Sequence, residues 1–65
     1  MILQVTGMTC AHCERAIKAA VAALGGTAVV DIGGGTVAVA GVDDEAAVRQ
    51  AIEAEGYGVT GRIDG

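Results

Sequence analysis

Two cysteines and one histidine fall inside a single short run, Gly7-Met8-Thr9-Cys10-Ala11-His12-Cys13, and the 65-residue chain has no others. Cys10 and Cys13 stand three positions apart, where an extended opening run gives way to a helical pattern. Two thiols at that spacing can converge on one soft metal ion, or they can close on each other as a disulfide. A thiolate, not a thiol, does either job. The start of a helix favours the anion, because its unpaired N–H groups and dipole stabilise negative charge. Cu(I) accepts few ligands and prefers sulfur. Zn(II) usually takes four ligands, and this chain would have to borrow some of them from water or from a second molecule.

The elements that must hold this loop can be read from the apolar pattern. Ile2 to Thr6 alternates, with Leu3 and Val5 on one face and Gln4 and Thr6 on the other, as in a half-buried strand. Gly7 interrupts it. From Ala11 to Leu24 the spacing predicts a helix, with Ile17, Ala20, Val21 and Leu24 forming one stripe that Cys13 begins. Thr9 suits the N-cap of this helix, and Gly25-Gly26 suits its end. Thr27 to Ile32 predicts a strand with Ala28, Val30 and Ile32 on one face. Gly33-Gly34-Gly35 is a turn, and Thr36 to Ala40 is a strand that pairs Val37 with Val39. Asp43 or Asp44 caps a second helix that runs to Glu55 and carries Val48, Ala51 and Ile52. Gly56 ends it. Tyr57 to Ile63 predicts a last strand, with Val59 and Ile63 alternating around Gly61. The order is strand, helix, strand, strand, helix, strand: the α+β, ferredoxin-like βαββαβ arrangement, a four-stranded antiparallel sheet with two helices on one face.

Composition narrows the function classes. At this length the expectation is one domain over residues 1–65 with a thin core. The core must come from small aliphatics, since Tyr57 is the only aromatic residue. Two cysteines cannot build a disulfide-dense secreted scaffold. Met1 is followed directly by Ile2-Leu3-Gln4-Val5, without the basic and apolar regions of a signal peptide. No apolar run approaches the roughly 20 residues of a membrane span. The expectation is a cytoplasmic protein without membrane insertion. A net charge of −4 speaks against a nucleic-acid partner, which selects a basic face. A C-x-x-C also serves thioredoxin-like redox enzymes, but those folds are longer, have another element order and set a cis-proline beside the dithiol. This chain contains no proline.

The G-M-T-C-A-H-C run resembles the G-M-T-C-x-x-C signature of heavy-metal-associated domains. These are the small copper chaperones and the N-terminal domains of copper-transporting P-type ATPases. The resemblance extends through the element order to the Glu55-Gly56-Tyr57 junction. It implies a carrier, not an enzyme, in which Cys10 and Cys13 hold Cu(I) in an exposed loop. It also implies that the ion passes by ligand exchange to a metal-binding domain of a copper-transporting P-type ATPase. Met8 in such domains packs beneath the loop and does not ligate. Tyr57 matches the tyrosine that bacterial copper chaperones place near the metal, where eukaryotic members usually have lysine. His12 is a candidate accessory ligand and favours a metal-bridged homodimer. Arg15 and Lys18 on the first helix are candidates for offsetting the anionic centre and reading a partner surface.

Alternatives to the chaperone are an excised ATPase domain, a mercury- or zinc-binding relative, and a dithiol oxidoreductase. The start at Met1 and the stop at Gly65 favour the stand-alone chaperone. Mercury-binding relatives are typically exported, and zinc-specific relatives often carry an acidic residue where Thr9 stands.

Overall fold

A computed structural model describes residues 1–8 and 11–63. Its elements are β1 (Ile2–Thr6), α1 (Ala11–Ala23), β2 (Thr27–Asp31), β3 (Thr36–Ala40), α2 (Glu45–Ala54) and β4 (Gly58–Arg62). The strands form one antiparallel sheet in the order β2-β3-β1-β4, so β1 and β3 are central and β2 and β4 are edges. Both helices cover the same face, α1 over β2 and α2 against β4, and they also pack against each other. This is the ferredoxin-like βαββαβ fold that the sequence predicts.

The core lies between sheet and helices. Leu3 and Val5 from β1 and Val37 and Val39 from β3 meet Cys13, Ile17 and Val21 of α1 and Val48 and Ile52 of α2, with Met8 closing one end. Each fully buried aliphatic side chain contributes about 1.5–3 kcal/mol relative to exposure. Without aromatic bulk, a small domain of this kind has little stability to lose.

Local chemistry sets the helix ends. Asp44 is the N-cap of α2, its carboxylate accepting from the Ala47 N–H at 3.1 Å. The chain leaves α1 through a Schellman turn. The Gly25 N–H donates to Ala22 O at 3.0 Å, the Gly26 N–H donates to Val21 O at 3.2 Å, and Gly25 takes φ 87°. The helix therefore ends before Leu24. Expected on the buried stripe, Leu24 is instead 39% exposed.

The last strand departs further from its predicted pattern. Opposite β1, Leu3 pairs with Arg62 and Gln4 with Gly61, but Val5 pairs with Val59, so the register shifts between Gln4 and Val5 and Thr60 is the extra residue of a β-bulge. A one-residue shift moves the rest of the strand to the opposite face. Val59 packs against the core, whereas Ile63, expected on the same side, is 56% exposed. Arg62 takes the helix-facing side opposite Leu3 and reaches Glu45 at 3.5 Å. Ile32, expected at the end of β2, instead belongs to the turn and accepts from the Gly35 N–H at 3.3 Å.

Gly26 has no room for a side chain. A Cβ there would stand 2.7 Å from Ala40 O and 2.5 Å from Val42 Cγ2. A Cβ on Gly61 would meet nothing within 4 Å. Gly26→Ala is expected to cost about 1–3 kcal/mol in urea unfolding. Gly61→Ala should be neutral or stabilise by about 0.4–1 kcal/mol, as loss of unfolded-state freedom does in an unstrained site.

Candidate metal centre at the strand-to-helix loop

The loop from β1 to α1 is built from its flanks inward. Gly7 stops the strand at φ 88°, a left-handed conformation that side chains other than hydrogen rarely accept. A Cβ on Gly7 would lie 3.6 Å from Tyr57 Cδ1, so the tyrosine ring stands directly over this turn. Tyr57 is half-buried and packs against the core from the α2–β4 junction. Met8, 8% exposed, turns its side chain into the core.

Cys13 sits in the first turn of α1 and is 6% exposed. Its thiol donates a weak hydrogen bond to Gly7 O at 3.9 Å, which ties the helix start back to the strand end. The same side chain heads the stripe Cys13-Ile17-Val21 that packs on the sheet, so the core fixes its position. Cys10, the other expected ligand, and Thr9, the expected N-cap, lie outside the described residues.

The remaining predicted residues are on the outside of α1. His12 and Arg15 are exposed. Lys18 Nζ lies 3.8 Å from Glu14 Oε2, an exposed i,i+4 pair of the kind worth about 0.3–0.5 kcal/mol. Its charge is partly matched within the helix and is easily released. Among the described residues no group of three or more His, Cys, Asp or Glu side chains gathers into a metal cage. The sequence marks Gly7 only as a strand breaker. The structure adds its left-handed φ, its carbonyl contact to Cys13 and its place under Tyr57. The one signal in the sequence is a glycine immediately before the Met-Thr-Cys run.

A ferredoxin-like sheet with a thiol held at the β1–α1 turn defines a class of small metal-handling modules. The sequence profile of the heavy-metal-associated domain matches residues 2–58, and the chain belongs to that family. Among solved structures it is similar to a CopZ metallochaperone, with 35% identity over 92% of this chain and 97% of that one and a TM-score of 0.87. It is also similar to the copper chaperone Atx1 from Synechocystis, with 27% identity, 92% and 98% coverage and a TM-score of 0.85. A third similar structure is a copper-binding domain from HMA7, a P-type ATPase, with 26% identity, 97% and 92% coverage and a TM-score of 0.85. No curated protein matches the chain.

Burial gives Met8 a packing role that substitution can separate from ligation. Met8→Ala should lower stability by about 2–5 kcal/mol. Met8→Leu, which nearly conserves volume, should cost less than about 1.5 kcal/mol and leave metal affinity unchanged. Loss of metal binding in a folded Met8→Leu protein would make the thioether a ligand.

Proposed function

We propose that this chain is a copper chaperone that carries one Cu(I) between Cys10 and Cys13 and delivers it to a metal-binding domain of a copper-transporting P-type ATPase. The observation that carries the reading is Cys13 itself, a thiol anchored by the core in the first turn of α1, three residues after Cys10. Membership of the heavy-metal-associated family and similarity to copper chaperones support it. In this reading residues 1–65 act as one domain, the protein is a carrier without catalytic turnover, and its place is the cytoplasm. No helix among the described residues is long and apolar enough to cross a membrane.

Two thiolates leave Cu(I) under-coordinated, and that suits transfer. A partner thiol loses its proton and its sulfur adds to the ion, giving three Cu–S bonds. One donor Cu–S bond then breaks, and the departing thiolate takes up a proton. Repeating the step completes delivery. The copper stays Cu(I) throughout, and every step exchanges one Cu–S bond for another. Loading removes the proton that Cys13 donates to Gly7 O, so it substitutes a metal bond for a weak hydrogen bond without displacing the buried side chain. Met8 supports the loop from below, and the Tyr57 ring stands beside Gly7. Exposed Arg15, and Lys18 once it leaves Glu14, supply positive charge for an acidic partner surface. His12 is exposed where it can reach a second molecule, the arrangement a metal-bridged homodimer needs. A second reading, in which this domain belongs to an ATPase, draws on the similarity to the HMA7 domain. Its site chemistry would be the same.

The test is anaerobic titration of the reduced protein with Cu(I) against a competing chelator, with Zn(II) in parallel. Tight one-to-one Cu(I) binding is expected, lost in both Cys10→Ser and Cys13→Ser and far stronger than Zn(II). Zn(II) competing on equal terms, or sustained turnover in an insulin-reduction assay, would overturn the copper-carrier reading.

A further inference from the structure

The two sheet edges are built very differently. β4 carries the bulge at Thr60, glycines at positions 58 and 61, and Arg62 tied to Glu45 at 3.5 Å. Bulges, glycines and charges are what blunt a free edge. β2, Thr27-Ala28-Val29-Val30-Asp31, has neither bulge nor glycine. Its register to β3 runs unbroken through all five residues, and its one charge stands at the end.

The ladder shows which β2 groups are unclaimed. Met1 and Val39 exchange both backbone bonds, at 2.6 and 3.2 Å, so Val39 faces β1. Antiparallel pairs alternate, so Ala38 and Ala40 face β2. Thr27 and Val29 pair with Ala40 and Ala38, and their backbone groups point into the sheet. The N–H and C=O groups of Ala28 and Val30 therefore point outward from the free edge.

We propose that two copies of this chain associate through antiparallel pairing of their β2 edges about a two-fold axis at Val29. Ala28 of each copy then exchanges backbone bonds with Val30 of the other. Both outward residues are used, and the two sheets become one. The neighbouring registers are poorer. Centring on Ala28 would need Gly26, whose N–H already caps α1. Centring on Val30 would need Ile32, whose carbonyl is engaged in the turn, and it would set Val29 against Asp31. The Val29 register sets Asp31 opposite Thr27. It separates the two Asp31 carboxylates by four residue rises, about 14 Å, beyond a Debye length of about 8 Å.

Side chains favour the same register. Val29 is 70% exposed on the face away from the helices. It begins an apolar row across that face, with Ala38 opposite Val29 and Ile2 opposite Ala38. Ile63, whose N–H donates to Ile2 O at 2.9 Å, completes the row. In the paired state Val29 meets Val29 in a non-hydrogen-bonded position, where side chains approach most closely, and the row continues through the second copy. A five-residue edge buries well under the roughly 1,200 Å² of a stable interface, so the association is weak and exchanges rapidly.

The test uses the reduced full chain with a metal chelator present, which suppresses metal-bridged dimers. Sedimentation and amide exchange are measured from about 10 μM to about 2 mM. Mass should rise with concentration, and the Ala28 and Val30 amides should become at least about fivefold more protected at the upper end. Ala28→Pro removes an outward donor without touching the β3 ladder, and Val29→Lys sets like charges across the axis. Each should weaken association at least about tenfold. If Ala28→Pro does not fold, the exposed Val29→Lys change decides alone. Overturning results are a monomer throughout the range, exchange at Ala28 and Val30 independent of concentration, or association that persists in a folded Val29→Lys protein. A β2 edge that binds only a strand from another protein, with no self-association, would also overturn it.

Discussion

One helical stripe, Cys13-Ile17-Val21, packs against Leu3, Val5, Val37 and Val39 and holds the two layers of the domain together. It seats α1 on the sheet, and in a core without Phe or Trp it is a large share of the apolar contact available. Because Cys13 is the first residue of that stripe, the force that folds the domain also positions a thiol. The residue is buried, yet it belongs to the loop region where β1 meets α1. A thiol placed this way does not need its own scaffold. It moves only if the helix moves.

Among the described residues, three flank the loop: Gly7, Met8 and Tyr57. Gly7 supplies a left-handed bend that no other residue type accepts without strain. Met8 drops into the core beyond it, and Tyr57 leans over from the opposite end of the chain. The exposed face of α1 adds His12, Arg15 and Lys18 around the same end. Support from beneath suits the proposed carrier, which must hold an ion and still give it up.

Much of this was legible in the sequence because apolar periodicity is a direct image of burial. Leu3 and Val5, Val37 and Val39, and the Val48-Ile52 pair all lie where alternation or helical spacing set them. Asp44 emerged as the cap from the pair Asp43-Asp44, because its carboxylate is the one that meets Ala47 N–H. Periodicity failed where the backbone breaks the count. The bulge at Thr60 turned Ile63 outward and sent Arg62 to Glu45; Gly61 is the sign of an irregular strand in the sequence, but it does not fix which residue is inserted. Leu24 is exposed because the Schellman turn ends the helix one residue early. At the site, the Gly-Met-Thr-Cys run and the Cys10–Cys13 spacing pointed to thiol chemistry. The contact between Cys13 and Gly7 O is tertiary geometry, outside what spacing can encode.

In the proposed reading copper sits between two thiolates with no third ligand. X-ray absorption on the reduced, Cu(I)-loaded monomer counts the atoms bound to copper. Two sulfur neighbours and no nitrogen or oxygen are expected, with a spectrum unchanged by His12→Ala or Met8→Leu. A third sulfur lost in Met8→Leu, a nitrogen neighbour lost in His12→Ala, or a four-coordinate ion would overturn the two-thiolate site.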